Sequence, residues 1–241
     1  MNPCIINFAK NYPQHQRHGS WYLEGQERLK RSLAMVGYAG GLMLFQDYPA
    51  GSPRHEDVQY AFKLACLKEA ERAGYDVLLW IDCSVWAIRP IEPILDEIKQ
   101  VGYVIFDDGW NVGQWCTDAA LVTLGITREE AFTIPMLWSA IVGFDLTNER
   151  SRKFYDEWYR LSRDGITFKG PWSRDGLDTQ DKRVLGHRHD QTAESVIAWR
   201  LGMTATKSDF VSRDINNMHP TSILRGQGNV RDGDLDMVVK Q

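Results

Sequence analysis

Val77-Leu78-Leu79-Trp80-Ile81-Asp82-Cys83-Ser84 sets five large apolar residues in a row and ends them on a carboxylate. A strand with one wet face alternates polar and apolar residues, whereas a run without alternation is covered on both sides. Residues 77–81 therefore read as a central parallel strand. The pattern on either side agrees. Upstream, residues 57–73 read as a long helix with Val58, Ala61, Phe62, Ala65 and Cys66 on its apolar face, closed by Gly74. Before it come a strand over 41–46, a helix over 24–36 carrying Leu29, Leu33 and Val36, and a first strand over 4–9. Downstream lie a helix over 93–101, a strand over 103–106, a strand over 138–144 and a helix over 150–162. Residues 164–187 are polar and Gly-rich, long enough for an active-site loop. A helix resumes at Asp190 with Ala193, Val196, Ile197 and Leu201 inward, and periodicity fades after Lys207. Strands alternating with helices specify an α/β fold, a mostly parallel sheet covered on both faces. With no repeat or linker, residues 1–241 read as one domain, large enough to bury roughly three quarters of its unfolded surface.

Composition excludes several function classes. Twenty-eight basic and 32 acidic residues are interspersed, for a formal charge of −4. That balance offers no basic face for nucleic acid. No stretch approaches the roughly 20 apolar residues of a membrane span. Residues 1–8 lack the basic region of a signal peptide, so the expected location is cytoplasmic. Cys4, Cys66, Cys83 and Cys116 form no CxxC pair and read as buried thiols in a reducing compartment. The GxGxxG, GxxxxGK[ST] and GxSxG signatures are absent.

Ligands of open α/β sheets bind beyond the carboxyl ends of the strands. That rule selects Asn7, Gln46-Asp47, Asp82-Cys83-Ser84 and Asp107-Asp108. A strand-ending carboxylate such as Asp82 suits a hard divalent cation that in turn holds a diphosphate; it equally suits capping its own turn. His187-Arg188-His189-Asp190-Gln191 opens the last helix and forms a second candidate site. There Asp190 either accepts a proton from an acceptor hydroxyl or caps the helix. Trp110, Trp115 and Trp172, in loop regions, suit stacking on a sugar ring, and Trp21-Tyr22 ahead of the first helix suit shaping a nucleotide pocket. Trp80, Trp158 and Trp199 read as core.

Tyr75-Asp76 together with residues 77–84 resembles the hydrophobic-strand and DxD segment of the GT-A-fold glycosyltransferases, closest in flavour to glycogenin and the bacterial lipopolysaccharide galactosyltransferases. Three further stretches match in order. Phe62-Lys63-Leu64 falls where that family has a donor-contacting basic residue. Ser139-Ala140-Ile141-Val142-Gly143-Phe144-Asp145 resembles its hNSGhhhhN strand, and His189-Asp190-Gln191-Thr192-Ala193-Glu194-Ser195 its DQxxhN helix start. The resemblance covers roughly residues 4–201. It implies a three-layer GT-A-like sandwich that moves a sugar from a UDP- or GDP-sugar to a glycan or other hydroxyl acceptor. Asn7 and Phe8 would lie near the base, and Lys63, Asp82 and Ser84 at the diphosphate. Asp190 and Gln191 would act at the reacting centre, with His189 beside the tryptophans on the acceptor side. Mn²⁺ or Mg²⁺ is implied on Asp82, with His219 completing the shell.

The sequence departs from the family at Ser84, where the second aspartate belongs. A hydroxyl is a weaker ligand than a carboxylate. A metal-independent enzyme with Lys63 or an arginine on the phosphates is therefore the competing expectation. Two other classes compete with the transferase. A non-catalytic carbohydrate-binding or assembly protein would explain the missing aspartate. A sugar-1-phosphate nucleotidyltransferase would need a Gly-rich basic loop after the first strand, where this chain has Lys10-Asn11-Tyr12-Pro13.

Overall fold

The computed structural model describes residues 2–11, 21–206, 209–213, 219–226 and 234–238. Its elements, in chain order, are β1 (Pro3–Phe8), α1 (Trp21–Met35), β2 (Gly41–Phe45), α2 (Ala61–Arg72), β3 (Val77–Ile81), β4 (Trp86–Ala87), α3 (Glu92–Val101), β5 (Tyr103–Val104) and β6 (Asp107–Asn111). They continue with α4 (Asp118–Leu124), α5 (Arg128–Thr133), β7 (Pro135–Leu137), β8 (Ile141–Asp145), α6 (Glu149–Leu161), α7 (His189–Arg200), β9 (Val211–Ser212) and β10 (Leu224–Arg225).

The central sheet runs β2-β1-β3-β8-β5. β1 is parallel to β2 and β3, while β8 is antiparallel to both β3 and β5. The mostly parallel sheet read from the sequence is present, with β8 as its reversed strand. Period 2 divides the strands between two cores. Ile5, Val77, Leu79 and Ile81 pack with Leu29 and Leu33 of α1 and Ile94 and Ile98 of α3. Cys4, Ile6, Leu78 and Trp80 pack on the other side with α2, α6 and α7. Each buried Leu or Ile contributes about 1.5–3 kcal/mol, so the unalternating 77–81 run stabilises both layers at once. All four cysteines are free and buried.

Reversal of β8 matters for the site. Ile141 pairs with Ile81, so the residues that precede β8 lie where β3 ends. The Asp82 amide donates to the Ala140 carbonyl at 2.8 Å, fixing Ser139-Ala140 beside Asp82. On the opposite layer, α1 passes so close to the Asp82–Ser84 turn that a Cβ at Gly25 would overlap the Cys83 carbonyl.

Several boundaries differ from the sequence reading. The helix placed over 57–73 begins only at Ala61, because Tyr60 adopts φ 59°, a left-handed conformation that no helix continues through. The strand placed over 138–144 begins at Ile141; Trp138 instead donates its amide to Phe106. Only Tyr103 and Val104 of 103–106 pair with β8. Residues 107–137, given no element from the sequence, hold β6, α4, α5 and β7. β6 reads DDGWN and lacks an apolar face, which hides it. The short α4 and α5 do carry readable starts: Thr117 caps Ala120, and Thr127 with Glu130 forms a capping box. Trp199 is 43% exposed on α7 rather than core.

Candidate functional site

At the carboxyl edge of the sheet one ammonium group sits between two carboxylates. Lys63, in the first turn of α2, is fully buried. Its Nζ donates to Asp190 Oδ2 at 2.5 Å and to the Ser139 carbonyl at 2.7 Å, and lies 4.0 Å from Asp82 Oδ1. Burial opposes the charge, but Asp190 and Asp82 outweigh it and hold the Lys63 pKa above its ordinary value. Asp82 Oδ1 also accepts from Trp80 Nε1 at 2.5 Å. Burial raises the Asp82 pKa despite Lys63 and Trp80. Beneath this trio lies Glu194, fully buried, which accepts from the Ser139 hydroxyl through Oε2 and leaves Oε1 unpaired. Its carboxyl is pushed up to about 8, first by burial.

Two cavities meet here. The first, about 250 Å³, runs from Phe8, Ala9 and Lys10 past Trp21, Tyr22 and Trp80 to Asp82, Cys83 and Ser84. The second, about 340 Å³, is lined by Lys63, Asp108, Trp110, Ser139, Trp172, Arg188, Asp190 and Gln191, among others. Asp82 and Tyr60 line both. Tyr60 holds its strained conformation with its amide donating to His55 Nδ1 at 3.2 Å and its ring against Trp172 and His189. Gln191 Nε2 donates to the Leu137 carbonyl at 2.8 Å, and Arg213 pairs with Asp108 at 2.8 Å.

Phe8, Asp82 and Ser84 line the first cavity, as do Trp21 and Tyr22. Lys63, Asp82, Trp110, Trp172, Asp190 and Gln191 line the second. Asn7 lines neither. It is fully buried, donates to the Ile81 carbonyl at 2.6 Å and accepts from Gln26 at 2.8 Å, tying β1 to β3 and α1. Trp115 stands behind Trp110, their rings edge to face. His189 is buried and backs Tyr60 and Trp172; Nδ1–H donates to the Phe168 carbonyl at 3.0 Å, and burial pushes its pKa down to about 3. His219 is half-exposed, contacts Asp209 and Thr221, and lines neither cavity. Neither capping alternative describes the site: Asp190 is the second residue of α7 and spends its carboxylate on Lys63, and Asp82 spends its own on Trp80 and Lys63. Tyr60 and Arg188 are among the lining residues to which the sequence gives no role. Tyr60 carries no signal, since its place depends on a backbone conformation disfavoured for Tyr, whereas Arg188 lay inside the flagged His187–Gln191 stretch.

Among the described residues Asp82 Oδ2 accepts no hydrogen bond, the side chain is 34% exposed, and Asp82 and Ser84 line the first cavity, which leaves one hard carboxylate oxygen and a hydroxyl as oxygen donors. Among the described residues no three His, Cys, Asp or Glu side chains converge on a metal position. This donor set fits Mg²⁺ or Mn²⁺ ligated chiefly by phosphate and water, which needs one or two protein oxygens, and does not fit an all-protein cage.

No protein-family model matches the sequence, and no curated protein is significantly similar to it. Among solved structures, the chain is similar to apo mouse xyloside xylosyltransferase 1, with a TM-score of 0.54 and 8% identity over 93% of this chain and 97% of that one. It is also similar to a glycosyltransferase involved in the glycosylation of the major capsid of PBCV-1, with a TM-score of 0.50 and 12% identity over 92% of this chain and 93% of that one. The chain has the GT-A fold. At these identities the likeness concerns the fold alone. The second cavity of the GT-A chain owes Ser139 and Ala140 to the reversed β8, which brings them to the edge where β1 and β3 end. Among the described residues no helix is long and apolar enough to cross a membrane.

Proposed function

We propose that this GT-A protein transfers a sugar from a nucleoside diphosphate sugar, a UDP- or GDP-sugar, to a hydroxyl acceptor such as a glycan. The observation that carries this reading is the pair of cavities joined at Asp82 and Tyr60, with the Lys63–Asp190 pair on the second wall. The aromatic-walled first cavity suits a nucleotide base and ribose, and the polar second cavity a sugar and its acceptor.

In this reading the bond between the anomeric carbon and the diphosphate oxygen breaks at the junction. The acceptor oxygen bonds to that carbon from the second cavity, and Asp190 takes its proton. Positive charge developing on the sugar favours Asp82 and Asp190 nearby, as carboxylates do in glycoside hydrolysis. Lys63 is buried and acts through these two carboxylates, as a positioning residue rather than a direct phosphate ligand. When bound, Mg²⁺ or Mn²⁺ would be held by Asp82 and Ser84 and would neutralise charge on the departing diphosphate. His219 falls outside this ligand set. Four unpaired buried thiols accord with a cytoplasmic, reducing location.

Calorimetric titration with UDP and GDP, with Mn²⁺ and with EDTA, tests the reading. Binding of one nucleotide, weakened by EDTA and by Asp82→Ala, is expected. Binding of neither would overturn the donor assignment and favour a carbohydrate-binding protein; binding indifferent to EDTA and to Asp82→Ala would remove the metal.

A further inference from the structure

The second cavity holds a cation that has no bonded anionic partner among the described residues. Arg188 lies half-buried between two indoles, its guanidinium carbon 3.5 Å from the Trp115 ring centroid and 4.7 Å from that of Trp172. Nη1 donates to the Trp172 carbonyl at 3.1 Å and to the His187 carbonyl at 3.5 Å. Among the described residues Nε and Nη2 donate to no atom, and no carboxylate lies within ion-pair distance. Nearby Arg213 shows the contrast: it stacks on Trp138 in the same manner but is neutralised by Asp108. An arginine clamped between aromatic faces loses little entropy when its remaining N–H fork closes on a planar anion.

Its position selects the substrate side. Arg188 lines only the second cavity, away from the wall formed by Phe8, Trp21 and Ser84. A diphosphate reaching Asp82 from the first cavity therefore does not need it, and a molecule entering the second cavity meets it beside the exposed indole of Trp172. Burial works against the guanidinium charge, and neither Asp108 nor Tyr60 restores it to the ordinary value. The site as built is an aromatic platform that carries a guanidinium on the cavity wall.

We infer that the second cavity takes an acceptor bearing an anionic group, a carboxylate or phosphate on a sugar, which Arg188 binds through Nε and Nη2. This rests on the assignment of that cavity to the acceptor. A neutral sugar would leave the half-desolvated charge unanswered.

The test titrates the intact protein, with and without UDP or GDP, using methyl glucuronide, glucose 6-phosphate and uncharged methyl glucoside. Wild type is expected to bind an anionic probe at least about tenfold more tightly than the glucoside. The preference should shrink as salt is raised. The two anionic arms separate carboxylate from phosphate. Arg188→Gln should abolish the preference. Arg188→Lys, which keeps charge but loses the fork, should retain part of it; this second variant serves if the Gln protein melts early. Equal affinity for all three probes, no measurable binding of any, or a preference kept by Arg188→Gln would overturn the inference. Failure of both nucleotides to bind while the anionic preference persists would remove the donor reading and leave the anion site standing.

Discussion

At the scale of single residues, the site rests on one buried ion pair with a shared cation. Lys63 has Asp190 at 2.5 Å and Asp82 at 4.0 Å in surroundings that include Trp80 and Trp158. Removing one partner of such a pair strands the other charge, a cost of about 3–5 kcal/mol. Lys63→Met should therefore melt far below wild type by calorimetry, and Asp190→Leu likewise. The double variant should lose less than the sum of the two, since only the partly exposed Asp82 is then left without its cation. Additive losses would show that the groups act independently. Glu194 gives a pH signature. Its carboxyl titrates near 8 when folded against an ordinary value of 4.5, so the folded state binds more protons between those values. Stability then falls as pH rises from about 4.5 to about 8. Glu194→Gln, which keeps an acceptor for Ser139, should be more stable than wild type at pH 8, with the difference gone near pH 4. A gap that does not change with pH would contradict the assignment. Asp82, Lys63 and Asp190 were legible because each has a local reason to stand out: a strand end, a helix position, a helix start. Their partnership was not legible, because α2 and α7 are separated by 127 residues at the contact and only the fold brings them together.

Among elements, the sequence spoke clearly wherever burial was two-sided. The unalternating 77–81 run placed β3 in the centre, and helical spacing placed α1, α2, α3 and α6 within a few residues. Reversal of β8 left no trace, since a run buried on both faces reads alike in either direction. The start of α2 was misplaced because a left-handed Tyr60 carries no sequence mark. Gly25 is the element-scale control on the site. It lets α1 lie against the turn that ends β3, and a methyl group there meets backbone rather than a movable side chain. Gly25→Ala, although favourable for an isolated helix by about 1 kcal/mol, should lower the melting temperature and weaken nucleotide binding together as Cys83 and Asp82 are displaced. An unchanged or raised melting temperature would show that the contact is slack.

The whole molecule is a three-layer sandwich whose sheet edge, not its surface charge, marks the working end. Near-neutral net charge and interspersed signs leave the local groups in control: Lys63 between its carboxylates, Arg188 between its indoles. The C-terminal part contributes support. Buried Arg28 of α1 pairs with Asp234 at 2.5 Å, donates to the Cys83 carbonyl at 3.3 Å and lies over Trp86, so residues 234–238 reinforce the turn beside Asp82. Such long-range closure, 206 residues apart, was invisible in a tail without periodicity. The proposed reaction cleaves a nucleotide sugar at the junction of the two cavities. The most direct measurement follows release of UDP or GDP by NMR from a panel of UDP- and GDP-sugars, without added acceptor and with glycan acceptors. Wild type is expected to release one nucleotide, faster with an acceptor, and Asp190→Asn to slow this by about 100-fold or more while still binding the nucleotide. Cleavage of no sugar in the panel, or an Asp190→Asn protein as active as wild type, would contradict it.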